Sequence, residues 1–317
     1  MLSRNVSASG RVDLSVQVGA LRLPNPIVAA SGTFGYGLEF AHLLDLNRIG
    51  GFVTKGISQE PIEGAPSPRL CDTPSGMLNA VGLQNVGVEA FVTTKLPLLR
   101  KYNTNVIVNV FGYCLEEYVS VIQRLEDADG IAAYELNISC PNVKKGGMQF
   151  GSNPALVEEV VRAARSVAVK RPLWVKLMPL VTDIGLIART AEAAGADALT
   201  VANTYPAMAV DYRTGKSKLG NLTGGLSGPA IRPITIRLVW EATKAVKIPI
   251  VALGGIETVD DILEYLSVGA AAVQVGTASF TDPGISEGLS GKLLRAMNEA
   301  NVLTISELKE KIAVKIG

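Results

Sequence analysis

From residue 26 onward the chain repeats one unit: a short β-rich apolar run, then a longer run with apolar residues at helical spacing. Eight β-rich runs can be read, at 27–30, 51–55, 106–111, 134–139, 173–178, 198–203, 249–253 and 272–275. No other feature constrains the fold as much. Parallel strands need a long crossover between them, and an amphipathic helix supplies it while covering the sheet. Eight such units predict a (β/α)8 barrel, an α/β fold of the TIM type. Patterns such as LEEYVSVIQRLEDAD, PALVEEVVRAARSVAV and PAIRPITIRLVWEATKAV read as its helices, and GLEFAHLLDL also carries helical apolar spacing. In AEAAGADALTV and YLSVGAAAVQV a glycine ends a helix and a small-residue step feeds the next strand. With 48% hydrophobic but only 5% aromatic residues, the core is built from Ala, Val, Ile and Leu, as suits a parallel sheet buried on both faces. The 317 residues are ordinary for one large barrel, so 1–317 reads as a single domain.

Three stretches fall outside the repeat. VDLSVQVGALRLP alternates around Gly19 and predicts an N-terminal β-hairpin, a lid over the bottom of the barrel. Residues 57–86, after the second strand, form a long insertion rich in Gly and Pro. A loop of that length inside a compact domain is usually functional. The tail after Phe280 carries helical spacing and reads as the last barrel helix.

Several function classes are excluded. A net charge of +1 gives no electrostatic case for nucleic acid or an anionic membrane. No stretch reaches the roughly 20 apolar residues that span a bilayer, and MLSRNVSASG lacks the apolar region of a signal peptide. A cytoplasmic protein is the expectation. Cys71, Cys114 and Cys140 are too few and too scattered for a disulfide framework or a metal site. The only histidine, His42, reads as a surface or core-edge residue.

In such a barrel the active site lies at the C-terminal ends of the strands. Standing there are Ser31, Lys55 and Gly56, Asn109, then Asn137, Ser139, Cys140 and Asn142, then Lys176, Asn203 and Thr204, Gly254 and Gly255, Gly276 and Thr277. Amides and lysines converge without a carboxylate pair, which weighs against glycoside hydrolysis and a divalent-metal site. They suit a planar, anionic, hydrogen-bonding heterocycle. The glycine pairs after strands seven and eight, with LSGPA at 226–230, suit a phosphate held on backbone N–H groups. Flavin mononucleotide (FMN) satisfies both ends of this series. Taken singly, the glycines could be turn residues, the asparagines could serve loop backbone, and Cys140 could be a small buried hydrophobe or a base.

ELNISCPNVKKGG (135–147), NAVGLQN (79–85), GGLSGPAI (224–231), ALGGI (252–256) and VGTA (275–278) resemble class 1 dihydroorotate dehydrogenases, in order from about Leu14 to Phe280. The resemblance implies oxidation of dihydroorotate to orotate in pyrimidine synthesis, with FMN in a (β/α)8 barrel. Carried over by position, Ser31, Lys55, Gly56, Asn109, Asn137, Lys176, Ala202, Gly228, Gly254, Gly255, Gly276 and Thr277 would contact FMN. Lys55, Asn79, Ala80, Val81, Gly82, Leu83, Asn137, Asn142, Asn203 and Thr204 would hold the substrate. Cys140 would be the catalytic base, a role open to a thiol with a pKa near about 8.5. Pro141 biases Cys140 toward an extended backbone that carries the thiol over the barrel mouth.

Within the family, VKKGGMQFGSNP (143–154) is similar to the NAD-linked group. That likeness implies a second subunit carrying FAD and a [2Fe–2S] cluster, in a heterotetramer of two plus two. The chain itself has no G-x-G-x-x-G after a strand and too few cysteines for a cluster. A fumarate-linked homodimer, or an FMN reductase of another dihydropyrimidine, are the alternatives.

Overall fold

In the computed structural model, residues 11–139, 141–142 and 148–315 are described. All eight expected strands form: β1 (Ile27–Ala29), β2 (Gly51–Val53), β3 (Val106–Val110), β4 (Ala133–Asn137), β5 (Leu173–Lys176), β6 (Ala198–Val201), β7 (Ile250–Leu253) and β8 (Ala272–Val275). Each pairs in parallel with the next, and β8 pairs with β1, so the barrel closes. Closure leaves no sheet edge exposed.

The three quoted helical patterns fold as Leu115–Glu126, Pro154–Val167 and Arg232–Ala245, the last entered through a 3-10 turn at Pro229–Ile231. The two glycine stops also behave as read. Gly195 and Gly269 have φ of +107° and +105°, and Ala196 and Ala270 donate back five residues to Ala191 and Tyr265. That 6→1 bond closes a helix and sends the chain into β6 or β8. No helix among the described residues is long and apolar enough to cross a membrane.

The hairpin forms as Val16–Val18 paired with Leu21–Leu23. Val18 and Leu23 pack on one inward residue from every strand: Val28, Val53, Ile107, Ala133, Trp174, Ala198, Val251 and Ala272. The hairpin therefore plugs the N-terminal end of the barrel with apolar side chains. Strand parity then sets what lies above, because residues two apart share a face. One step up, the interior turns polar with Asn109, Glu135, Lys176, Thr200 and Gln274, all buried. One further step reaches the open mouth.

Two expectations are corrected. GLEFAHLLDL is not a helix; it runs as successive turns, with Phe40 N–H bonded to the Gly37 carbonyl and Leu43 N–H to that of Phe40. Phe34 stacks on Phe40 at 4.2 Å and packs on Phe52 of β2 at 5.7 Å, so the segment is held to the barrel in this form. His42 there is exposed. The tail is two helices, Ile285–Glu299 and Ile305–Ile312, and the second caps the end of Val259–Ser267 through Lys309 Nζ on the Gly269 carbonyl at 3.2 Å.

The long insertion is not a bare loop. Its strands Leu70–Thr73 and Gly76–Asn79 join Gly224–Ser227 and Tyr205–Ala207, from the excursion after β6, in a four-stranded antiparallel sheet. Leu78, Ala80 and Leu219 form its small core, with Cys71 packed against them. This sheet stands beside the barrel mouth and supplies part of the cavity wall.

Candidate functional site

A cavity of about 420 Å³ occupies the C-terminal mouth, within the roughly 300–1,000 Å³ usual for small-molecule sites. Every described residue expected to touch cofactor lines it: Ser31 after β1, Lys55 and Gly56 after β2, Asn109, Asn137, Lys176, Ala202, Gly228, Gly254, Gly255, Gly276 and Thr277. Asn79, Ala80, Val81, Gly82, Leu83, Asn203 and Thr204 complete another part of the wall. Cys140 and residues 143–147 lie outside the described residues, and Asn142 is described only as backbone, paired with Met148.

The amides are held in set orientations. Asn203 Nδ2 donates to Ser139 Oγ at 3.0 Å, while its Oδ1 accepts from Thr204 N–H at 2.8 Å. Asn137 Oδ1 accepts from Ser139 N–H at 3.2 Å, and Tyr118 OH donates to the Asn137 carbonyl at 2.8 Å. Asn79 Nδ2 donates to the Gly225 carbonyl at 3.1 Å, which ties the insertion to the excursion after β6. Asn109 Nδ2 donates to Glu135 Oε1 at 2.8 Å, and its buried Oδ1 has no partner among the described residues.

Lys55 is half-buried, and its Nζ reaches Gln84 Oε1 at 3.4 Å; Arg69 Nη1 donates to the same oxygen at 2.8 Å. Loss of water on burial pushes the Lys55 ammonium below the ordinary lysine range, and the Arg69 charge pushes the same way. The Glu39 carboxylate acts in the opposite sense, and Lys55 is the one of these charged groups that lines the cavity, where its ammonium suits an anion.

Gly254 and Gly255 have φ of +153° and +68°, a backbone course that side chains rarely adopt. A Cβ on Gly255 would lie 2.8 Å from Arg232 Cβ. Their carbonyls point outward: Tyr265 OH donates to Gly254 O at 2.7 Å, and Arg232 Nη1 to Gly255 O at 3.3 Å. In a planar trans peptide the N–H points opposite to the carbonyl. The Gly255 N–H therefore points away from Tyr265, and Gly255 lines the cavity together with Gly228 and Ile231, which flank and close the turn Pro229–Ile231 that opens the helix Arg232–Ala245. Backbone N–H groups and a helix start together favour an oxyanion.

The residue reading missed Glu135, Gln84, Ser227 and Gln274. Glu135 is fully buried beneath the mouth. Its signal was present: it shares strand parity with Asn137. Gln274 was equally visible as a polar residue in the apolar strand AVQV.

A family profile described as dihydroorotate dehydrogenase matches residues 13–297. A protein of Pelobacter propionicus named dihydroorotate dehydrogenase B (NAD(+)), catalytic subunit, is 50% identical over 93% of this chain and 97% of its own. One of Solibacter usitatus named putative dihydroorotate dehydrogenase A (fumarate) is 54% identical over 85% of this chain and 88% of its own. Among solved structures, that of a dihydroorotate dehydrogenase from Eimeria tenella in complex with ferulenol superposes with a TM-score of 0.77 at 21% identity, over 95% of this chain and 89% of that one. At that identity the match speaks for the fold.

Proposed function

Because the chain belongs to the dihydroorotate dehydrogenase family, we propose that it oxidises dihydroorotate to orotate with FMN bound in the barrel mouth. The observation that carries the reading is the convergence of two lysines, four asparagines and a run of strand-end glycines on one cavity. The residues present fit FMN. Asn109 Oδ1 is a buried acceptor still in need of a donor, which the pyrimidine N–H of a flavin provides. Gly228, Gly254, Gly255, Gly276 and Thr277 would hold the phosphate. Ser31, Lys55, Gly56, Asn109, Asn137, Lys176 and Ala202 would line the ring system.

When bound, FMN supplies a two-electron acceptor for the hydride that leaves the substrate. The chain's own residues do the rest. Lys55 offers its charge to the substrate carboxylate. Asn79, Asn137, Asn142, Asn203 and Thr204 hydrogen-bond the ring amides, with the 80–83 backbone closing one side. Cys140 takes the proton from the carbon next to the one that loses hydride, and thiolate is a competent base near neutral pH. Lys176 would line the pyrimidine end of the flavin as a hydrogen-bond donor, at the edge where negative charge builds on reduction.

NAD(+) is the acceptor we assign, reached through a partner subunit that carries FAD and an iron–sulfur cluster, two copies of each chain assembling together. The names of similar proteins favour this, while the Solibacter relative keeps fumarate as a second reading. Anaerobic addition of dihydroorotate to the purified yellow protein is expected to bleach the flavin, and persistence of the oxidised spectrum would refute the substrate. Purified alone, the chain is expected to reduce neither NAD(+) nor fumarate efficiently; rapid fumarate reduction would establish the second reading.

A further inference from the structure

We propose that Glu135 is a positioning residue for the cofactor site, its carboxylate balancing the charge of Lys176 and locking Asn109 with its carbonyl toward the cofactor. The inference rests on the FMN reading above.

A carboxylate with no solvent exposure is costly unless paired, and an apolar residue would fill a barrel interior more cheaply. Glu135 is instead the hub of the polar layer. Its Oε1 accepts from Asn109 Nδ2 at 2.8 Å and lies 3.9 Å from Lys176 Nζ. Its Oε2 accepts from Thr200 Oγ1 at 2.8 Å and from Gln274 Nε2 at 2.6 Å. The partners come from β3, β5, β6 and β8, so one side chain cross-links most of the barrel.

An ionised carboxylate only accepts hydrogen bonds. Both amides must therefore turn their NH2 groups to Glu135 and their oxygens away from it. Neither oxygen, Asn109 Oδ1 or Gln274 Oε1, has a partner among the described residues. Asn109 Oδ1 is packed against Gly56, which lines the cavity; a Cβ built there would lie 3.0 Å from it. Of the two amides, Asn109 lines the cavity, so its enclosed oxygen is the one within reach of a group bound there. Lys176 lines the same cavity. Its ammonium and the Glu135 carboxylate together add no net charge beneath the flavin. Loss of the carboxylate alone would leave the ammonium unbalanced and favour the electron-rich reduced flavin.

The test is the reduction potential of bound FMN, read from its spectrum against redox dyes in the intact protein. Glu135→Gln is expected to shift the reduced-to-oxidised ratio at least tenfold toward reduced, about 30 mV for a two-electron couple. Thr200→Val, which removes a hydrogen bond but no charge, is expected to stay within threefold of wild type. An unchanged potential in Glu135→Gln, or an equal shift in Thr200→Val, overturns the proposal. If Glu135→Gln fails to fold or to hold FMN, Glu135→Asp, which keeps the charge, decides. Flavin retained in Glu135→Asp supports the charge balance, and loss there too makes Glu135 a structural keystone and overturns the proposal. A wild-type chain without flavin would instead refute the FMN reading itself.

Discussion

Asn203 and Ser139 meet across the barrel mouth, Nδ2 to Oγ at 3.0 Å, joining the chain after β6 to the chain after β4 over the intervening β5. The bond fixes the Asn203 amide in the substrate part of the wall and anchors the backbone one residue before Cys140. Asn203→Ala is expected to raise the KM for dihydroorotate about tenfold, equivalent to about 1.4 kcal/mol and the usual scale of one such bond. FMN content should be unchanged, because Asn203 is assigned to substrate alone. Steady-state kinetics beside flavin absorbance check this, and an unaltered KM would remove Asn203 from the substrate site.

Lys55 gives the site a pH signature. Burial and the Arg69 charge lower its pKa, so the ammonium is lost at a lower pH than that of an ordinary lysine, near about 10.4. An anion held by Lys55 is therefore bound below that transition and released as pH rises through it. The KM for dihydroorotate is expected to climb before pH reaches the ordinary lysine range, and Lys55→Met should show a high KM without that climb. A flat KM through the range would contradict an anion contact.

Cys140→Ser tests the proposed base. A serine hydroxyl holds its proton far more tightly than a thiol, so turnover at neutral pH should fall by at least about a hundredfold, the scale of general-base catalysis. Substrate binding, followed by perturbation of the flavin spectrum, should persist. In the wild type, turnover should rise with pH as the thiol ionises. Equal turnover in the serine variant would end the assignment.

Gly255→Ala probes the oxyanion site. The backbone there has φ of +68°, and the added methyl would lie 2.8 Å from Arg232 Cβ. The variant is expected to purify with little FMN while keeping the wild-type circular dichroism. Full flavin occupancy would place the phosphate elsewhere.

Leu23→Ala addresses stability apart from function. Leu23 is fully buried among the inward residues at the barrel bottom, far from the mouth. Truncation should cost about 2–5 kcal/mol, by lost burial and the cavity left behind. Denaturant unfolding checks the loss, and the flavin spectrum of the folded variant should match that of wild type.

The sequence by itself determined the barrel. Eight β-rich runs, the amphipathic stretches between them and the glycine stops at Gly195 and Gly269 are local signals, each set by residues within a few positions of one another. Strand parity carried this to the site, because a residue's place in its strand decides whether it faces the interior. Hence the described residues named from strand ends do line one cavity. Only the tertiary structure decided which distant groups meet. Asn79 and the Gly225 carbonyl are 146 residues apart, and Glu135 reaches Thr200 and Gln274 across 65 and 139. No periodicity encodes such pairs. They arise because barrel closure brings β4, β6 and β8 around one axis, and because the strand edges of the insertion find partners in the excursion after β6. At GLEFAHLLDL the helical spacing is realised as turns instead, with Phe34 stacked on Phe40 beside them.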